Sequence, residues 1–192
     1  ADFSHSELRI EAQADADAAQ LLQLLRNSPL QRQHADTFAN LGAQGPARTS
    51  FRMFLPLHEH AAKGRTLGGS VALDGVRLTD KRWDLAFERV TGKVEFNEAG
   101  FSAEKLAVVH RGQPAVLSLR AGGGTRDPAQ AFEAELTASL QASELLARAP
   151  EMAWLKPYVQ GRSTWTLGVA LPVNGKLPGQ LNLRSNLIGT TL

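Results

Sequence analysis

Between Thr66 and Arg120, apolar and polar residues trade places with period two. The runs are Gly69–Leu78, Trp83–Phe87, Gly92–Ala103, Leu106–Val109 and Pro114–Arg120, each stopped by Gly, Asn or Asp. Period two sets alternate side chains on opposite faces of a sheet. Short strands with turn residues between them predict consecutive antiparallel hairpins, a meander. Such a meander has an apolar face, and what covers that face is the functional question.

The flanking segments follow the same logic. Leu8, Ile10, Ala12 and Ala14 share one face of an opening strand. Asp15 or Asp17 then caps a helix whose apolar positions are Ala18, Leu21, Leu22 and Leu25, and Asn27-Ser28-Pro29 stops it. A helix this short does not persist alone in water, so its leucines must pack on the sheet or a neighbour. Leu30 to Gly42 predicts a helical turn around Phe38 and Leu41, followed by a loop at Gly42–Pro46. Ala47 to Leu55 reads as a strand with Ala47, Thr49, Phe51, Met53 and Leu55 on one face, and Pro56 to Gly64 as a polar loop. Gly122–Pro128 reads as a flexible connection, and Ala131–Leu140 as a strand. Ser143 caps a second short helix through Leu145 and Leu146, ended by Pro150, with another helical turn at Trp154 and Leu155. The last hairpin pairs Ser163–Leu171 with Gln180–Arg184 across a turn containing Asn174-Gly175, a dipeptide that favours positive φ.

Composition narrows the classes. A chain of 192 residues is one large domain or two small ones. Its 43% hydrophobic and 21% charged residues are ordinary for a folded chain. Lys plus Arg number 21 against 19 Asp plus Glu, and the basic residues are scattered, which argues against a nucleic-acid partner. The absence of cysteine excludes disulfides, thiolate metal sites and a Cys nucleophile. No run approaches the roughly 18 apolar residues of a membrane span, and no signal peptide is evident. Strand patterns at both ends suggest a piece of a longer protein, a single β-rich fragment over residues 1–192.

Candidate chemistry is sparse. His58-Glu59-His60 is the one His cluster, and it lacks a third fixed ligand nearby. Gly122-Gly123-Gly124 leads into a strand rather than a helix N-terminus, so it is no phosphate cradle. Glu133 and Glu135 share the polar face of a strand, as on a solvated surface. No Ser–His–Asp set is detectable by spacing, so no enzyme activity, metal or cofactor is expected. The apolar faces remain, and the candidate lining residues are Phe51, Met53, Val71, Leu73, Leu85, Phe87, Val94, Phe96, Leu117 and Leu119. These residues point inward equally in a closed β-sandwich and in a sheet curled into an open groove. A closed domain would serve as a structural or protein-interaction module. A carbohydrate-binding β-protein would want more aromatic platforms than three Trp and one Tyr supply.

Several stretches resemble a known family. Leu24–Leu30 is similar to the "YLRESPL" helix end of the large AsmA-like proteins of the YhdP type. Trp83–Ala103, Gly112–Leu117, Gly161–Leu167 and Leu177–Thr191 are similar to later parts of the same proteins, in the same order. The ending L-x-G-x-L-x-L-x-S-x-L-x-G is the most specific of these motifs. The resemblance implies a segment of a long Gram-negative envelope protein that lies in the periplasm, with an inner-membrane anchor outside this fragment. It further implies a bridge-like lipid-transfer function: a curled β-sheet forming an apolar channel for phospholipid acyl chains, flanked by neighbouring domains of the same longer chain. The expected fold is therefore mainly β, a long twisted and curled antiparallel sheet forming an open groove, with two short helices.

Overall fold

The computed structural model describes residues 7–27, 39–56, 66–82, 84–141, 143, 154, 160–174, 177–186, 188 and 190–191. The elements are β1 (Glu7–Asp17), α1 (Ala18–Arg26), β2 (Leu41–Gln44), β3 (Pro46–Pro56), β4 (Thr66–Asp80) and β5 (Leu85–Asn97). They continue with β6 (Gly100–His110), β7 (Gln113–Gly122), β8 (Gln130–Gln141), β9 (Gln160–Pro172), β10 (Gln180–Ser185) and β11 (Thr190–Thr191). The strands form one antiparallel sheet in the order β1-β3-β4-β5-β6-β7-β8-β9-β10, with β2 added on β4 and β11 on β9. The sheet is open, with β1 and β10 at its two ends, and among the described residues no second sheet stacks on it. The closed sandwich is thereby excluded in favour of the long open sheet.

The expected runs are present, but they are divided differently. Leu85–Phe87 of one expected run and Gly92–Asn97 of the next belong to one long strand, β5, and the break falls instead at the tight turn of Glu98 and Ala99. Leu106–Val109 continues β6 rather than forming its own strand. Bulges account for the difference. Register shifts lie between Glu88 and Thr91, where Arg89 has φ 50°, and between Ala103 and Leu106, where Lys105 has φ 53°. Each bulge inserts an unpaired residue, bends the strand and increases its twist without ending it. Two more shifts on β4, between Leu73 and Leu78, place this bending in the centre of the sheet.

A second correction concerns Gly42–Pro46, which is no loop. β2 pairs with Arg77–Asp80 of β4, beyond the part of β4 that β3 covers, and Gly45 at φ 121° joins β2 to β3. That φ is one L side chains rarely adopt, which favours glycine here, and a Cβ on Gly45 would also meet the Val76 backbone tightly, at 3.2 Å.

Asp17 makes the junction between strand and helix. Its Oδ1 accepts from Ala19 N–H (2.8 Å) and its Oδ2 from Gly45 N–H (3.1 Å), while Ala18 N–H donates to Gly45 O (2.8 Å). This N-cap satisfies a free helix donor and pins α1 to the β2–β3 corner. Leu22 is buried against Leu41, Ala43 and Phe101, and Arg26 Nη2 donates to Leu41 O (2.6 Å) at the other helix end. The second helix expected at Ser143–Pro150, the helical turn near Leu155 and the loop with His58 and His60 fall outside the described residues, wholly or in all but single positions. Of the helical turn expected around Phe38 and Leu41, Phe38 is outside the described residues, and Leu41 is no part of a helical turn but opens β2.

Candidate functional site: an apolar sheet face

Direct cross-strand partners share a face, so the register shows which residues lie together. One row runs Ala12, Phe51, Gly69, Phe96, Phe101, Ala121, Phe132, Leu171. The next runs Ala14, Thr49, Val71, Val94, Ala103, Leu119, Ala134, Val169, Leu181. Further along, Leu106, Leu117, Leu136, Leu167 and Leu183 continue the same face. Apolar side chains thus line one face of the sheet from end to end.

All ten candidate lining residues stand on this face, but they differ in access. Leu73, Phe87 and Leu117 are buried in a continuous core with Val76, Val90, Leu106 and Val108, and Val71, Leu85, Val94 and Leu119 pack against it. Phe51, Met53 and Phe96 are half-buried outside that cluster. The fully buried trio Val76, Val90 and Leu106 sits next to the bulges, where bending draws neighbouring side chains together. Leu106 lies over Gly92, whose Cβ would meet Leu106 Cδ2 at 2.7 Å.

Away from the centre the face opens. Trp165, Leu167, Val169 and Leu171 on β9 are half-buried. On β10, Leu181 is 71% and Leu183 46% exposed, and on β1 Leu8 is 40% exposed. The ten candidates thus include the closed part of the face and miss the open part. The alternation in Trp165–Leu171 and Leu181–Leu183 marked these residues as apolar-faced, but nothing local shows which strand carries cover.

The opposite face is polar. Glu11 and Asp15 on β1 stand opposite Arg52 and Arg48 on β3, and Arg48 Nε meets Asp15 Oδ1 at 2.7 Å. On β6–β8 the pattern is less ordinary. Arg120 lies between Ser102 and Glu133 in register, and its side chain is only 4% exposed. It donates to both oxygens of Glu104 and lies 3.8 Å from Glu133 Oε2. The Arg120 hydrogen bonds hold the Glu104 carboxyl below the usual carboxylate range, against partial burial that pushes it up.

Glu133 is therefore no solvated strand residue. It also accepts from the backbone N–H groups of Arg126 (3.1 Å) and Asp127 (3.0 Å). Nor is Gly122–Pro128 a loose connection. Gly123 N–H donates to Ala99 O (2.9 Å), Gly124 N–H to Ala121 O and Thr125 N–H to Gly122 O (both 3.1 Å). A Cβ on Gly124 would strike Phe101 O at 2.2 Å, so glycine serves close packing of two backbones here.

Among the described residues, no group of three His, Asp or Glu side chains is placed to hold a metal, and no helix is long and apolar enough to cross a membrane. The arrangement offers a continuous apolar surface backed by a polar one. The family model described as YhdP protein matches residues 1–192. No curated protein and no solved structure matches the chain.

Proposed function

The chain belongs to the YhdP protein family, and from that membership, which suggests a lipid-transport-related protein of the cell envelope, we propose that it forms one segment of a periplasmic, bridge-like phospholipid-transfer protein. The observation that supports this reading is the single-layer sheet with one face apolar from β1 to β10 and open toward β8–β10. An exposed apolar face of this extent marks a contact surface for another apolar body. Acyl chains fit it. Each methylene kept from water is worth about 0.8 kcal/mol, so a sheet face that covers part of a chain offsets much of the cost of leaving a bilayer. Shielding alone is the mechanism, with no catalytic step, metal or cofactor. Neighbouring parts of the same longer chain extend the surface, an inner-membrane anchor lies elsewhere in that chain, and outer-membrane lipid homeostasis is the process served.

The test uses the open part of the face. Leu167→Asp and Leu181→Asp place a carboxylate on it, where water remains within reach. In the full-length protein each is expected to abolish rescue of an envelope-permeability defect, while the 192-residue chain carrying it still folds. Native mass spectrometry of the chain purified from cells should show bound phospholipid that both substitutions reduce. Normal rescue by both variants, with no lipid bound to the unmodified chain, would remove the reading.

A further inference from the structure

The helix α1 crosses the bend of the sheet. Ala18 and Leu21 pack into the continuous core, and Leu22 is buried against Leu41 and Ala43 of β2 and Phe101 of β6. Those partners belong to opposite ends of β4. Ala43 pairs with Leu78, whereas Phe101 stands in the row that runs through Phe96 to Gly69. Gly69 and Leu78 are nine positions apart, roughly 30 Å along an extended strand. A single leucine nevertheless touches the neighbours of both, so the central bulges fold the sheet far enough for α1 to reach from one wall to the other. The strand order places this crossing between the apolar strip of β8–β10 and that of β1 and β3.

The two walls hold α1 by different means. On the β1–β2 side the anchors are polar: Asp17 accepts from the N–H groups of Ala19 and Gly45, and Arg26 Nη2 donates to Leu41 O. On the β6 side Leu22 meets Phe101 in an apolar contact. A hydrocarbon chain can replace that contact without leaving a hydrogen-bonding group unpaired, but it cannot replace the polar anchors. A nine-residue helix has little stability of its own and depends on the surface beneath it. The helix is thus fixed at one wall and exchangeable at the other.

We propose that α1 is a gate on the apolar face. A phospholipid acyl chain passing between the β8–β10 strip and the β1–β3 end takes the place of Leu22 against Phe101, and α1 tilts away on its anchors at Asp17 and Arg26. This rests on the lipid reading above and adds a control point to it. Segments that move to admit a ligand are drawn from the less stable parts of a fold, and a short helix with one apolar latch is such a part.

The test is made with the full-length protein in cells. A benzophenone side chain replaces Leu8 on β1 or Leu181 on β10, both exposed, and captures phospholipid on either side of the crossing. Leu22→Cys and Phe101→Cys are combined and joined by a short bis-maleimide; residues 1–192 hold no other cysteine. Before bridging, phospholipid adducts are expected at both positions. After bridging they should persist at one position and be lost at the other, while each single-cysteine variant, treated alike, keeps both. Undiminished adducts at both positions of the bridged protein overturn the gate and leave the lipid surface standing. Adducts at neither position of the unbridged protein overturn both readings. Where the paired substitution fails to fold, or the bridge empties both positions, amide exchange of the unmodified full-length protein decides. With phosphatidylethanolamine vesicles the α1 amides should exchange about tenfold faster and those of β6 should not change. Unchanged α1 exchange with lipid bound overturns the gate, and vesicles that leave no lipid on the protein overturn both.

Discussion

Arg120 on β7 holds Glu104 on β6 through both carboxylate oxygens, each bond 2.5 Å, with the guanidinium itself withdrawn from water. The forked geometry gives two parallel charge-assisted hydrogen bonds, the strongest kind available to side chains. Glu104 precedes Lys105 in the bulge, and Arg120 leads into the Gly122–Gly124 turn, so the pair ties a bent part of the sheet to its tightest connection.

Removing the cation should therefore be costly. Arg120→Ala leaves Glu133, 14% exposed, without its counter-charge, whereas Glu104 at 48% can turn to water. The expected loss is about 3 kcal/mol, the lower end for breaking a buried pair. Urea melts give the value, and a loss below about 0.5 kcal/mol, the range of a surface substitution, would mean that the cluster is dispensable.

The same pair sets a pH dependence. The folded state holds Glu104 below its unfolded value, so its contribution is fully present above the ordinary carboxylate range. That contribution is lost as pH falls through the depressed folded value and the carboxyl takes up a proton. The melting temperature should drop with acidification below about pH 4.5, and Glu104→Gln should shallow the drop. Parallel acid profiles for the two chains would contradict this.

Two glycines separate strain from contact. A Cβ on Gly100 would meet Ala121 O at 2.0 Å, whereas Gly112, at φ 76°, has nothing within 4 Å. Gly112→Ala should cost about 1 kcal/mol, the penalty for a left-handed L-residue. Gly100→Ala must push two strands apart and should cost about 3 kcal/mol or more. Thermal melts that rank them in the reverse order would show that the end of β7 yields easily to a side chain on β6.

The contrast between closed and open parts of the apolar face is measurable as well. Leu106→Ala removes a fully buried side chain at a bulge and should cost about 2–5 kcal/mol, and Leu22→Ala a similar amount. Leu181→Ala, on the exposed edge strand, should stay within about 0.5 kcal/mol. A large loss at Leu181 would indicate that the edge is covered.

The one-sided alternation of Phe51–Leu55, Val71–Leu73, Leu117–Leu119, Phe132–Leu140 and Trp165–Leu171 is a property of the chain alone, because side-chain direction along a strand depends only on local geometry. An N-cap at Asp15 or Asp17 and the closing hairpin are legible for the same reason, because capping and hairpin pairing are decided within a few residues; the fold chooses Asp17 and turns Asp15 to Arg48. Three matters needed the folded sheet. Arg89 and Lys105 adopt positive φ at bulges that carry β5 and β6 past apparent breaks, and neither residue type announces such a conformation. β2 exists only because the end of β4 offers Leu41–Gln44 a free edge. Glu133 looks solvated until Arg120, thirteen positions away, arrives beside it. The access of the apolar face belongs with these. Leu117 and Leu183 have the same character in sequence, yet one is buried and the other exposed. Period two assigns a residue to a face, while burial depends on how strongly the sheet bends and on which strands lie at its ends, and both are set by contacts distant in sequence.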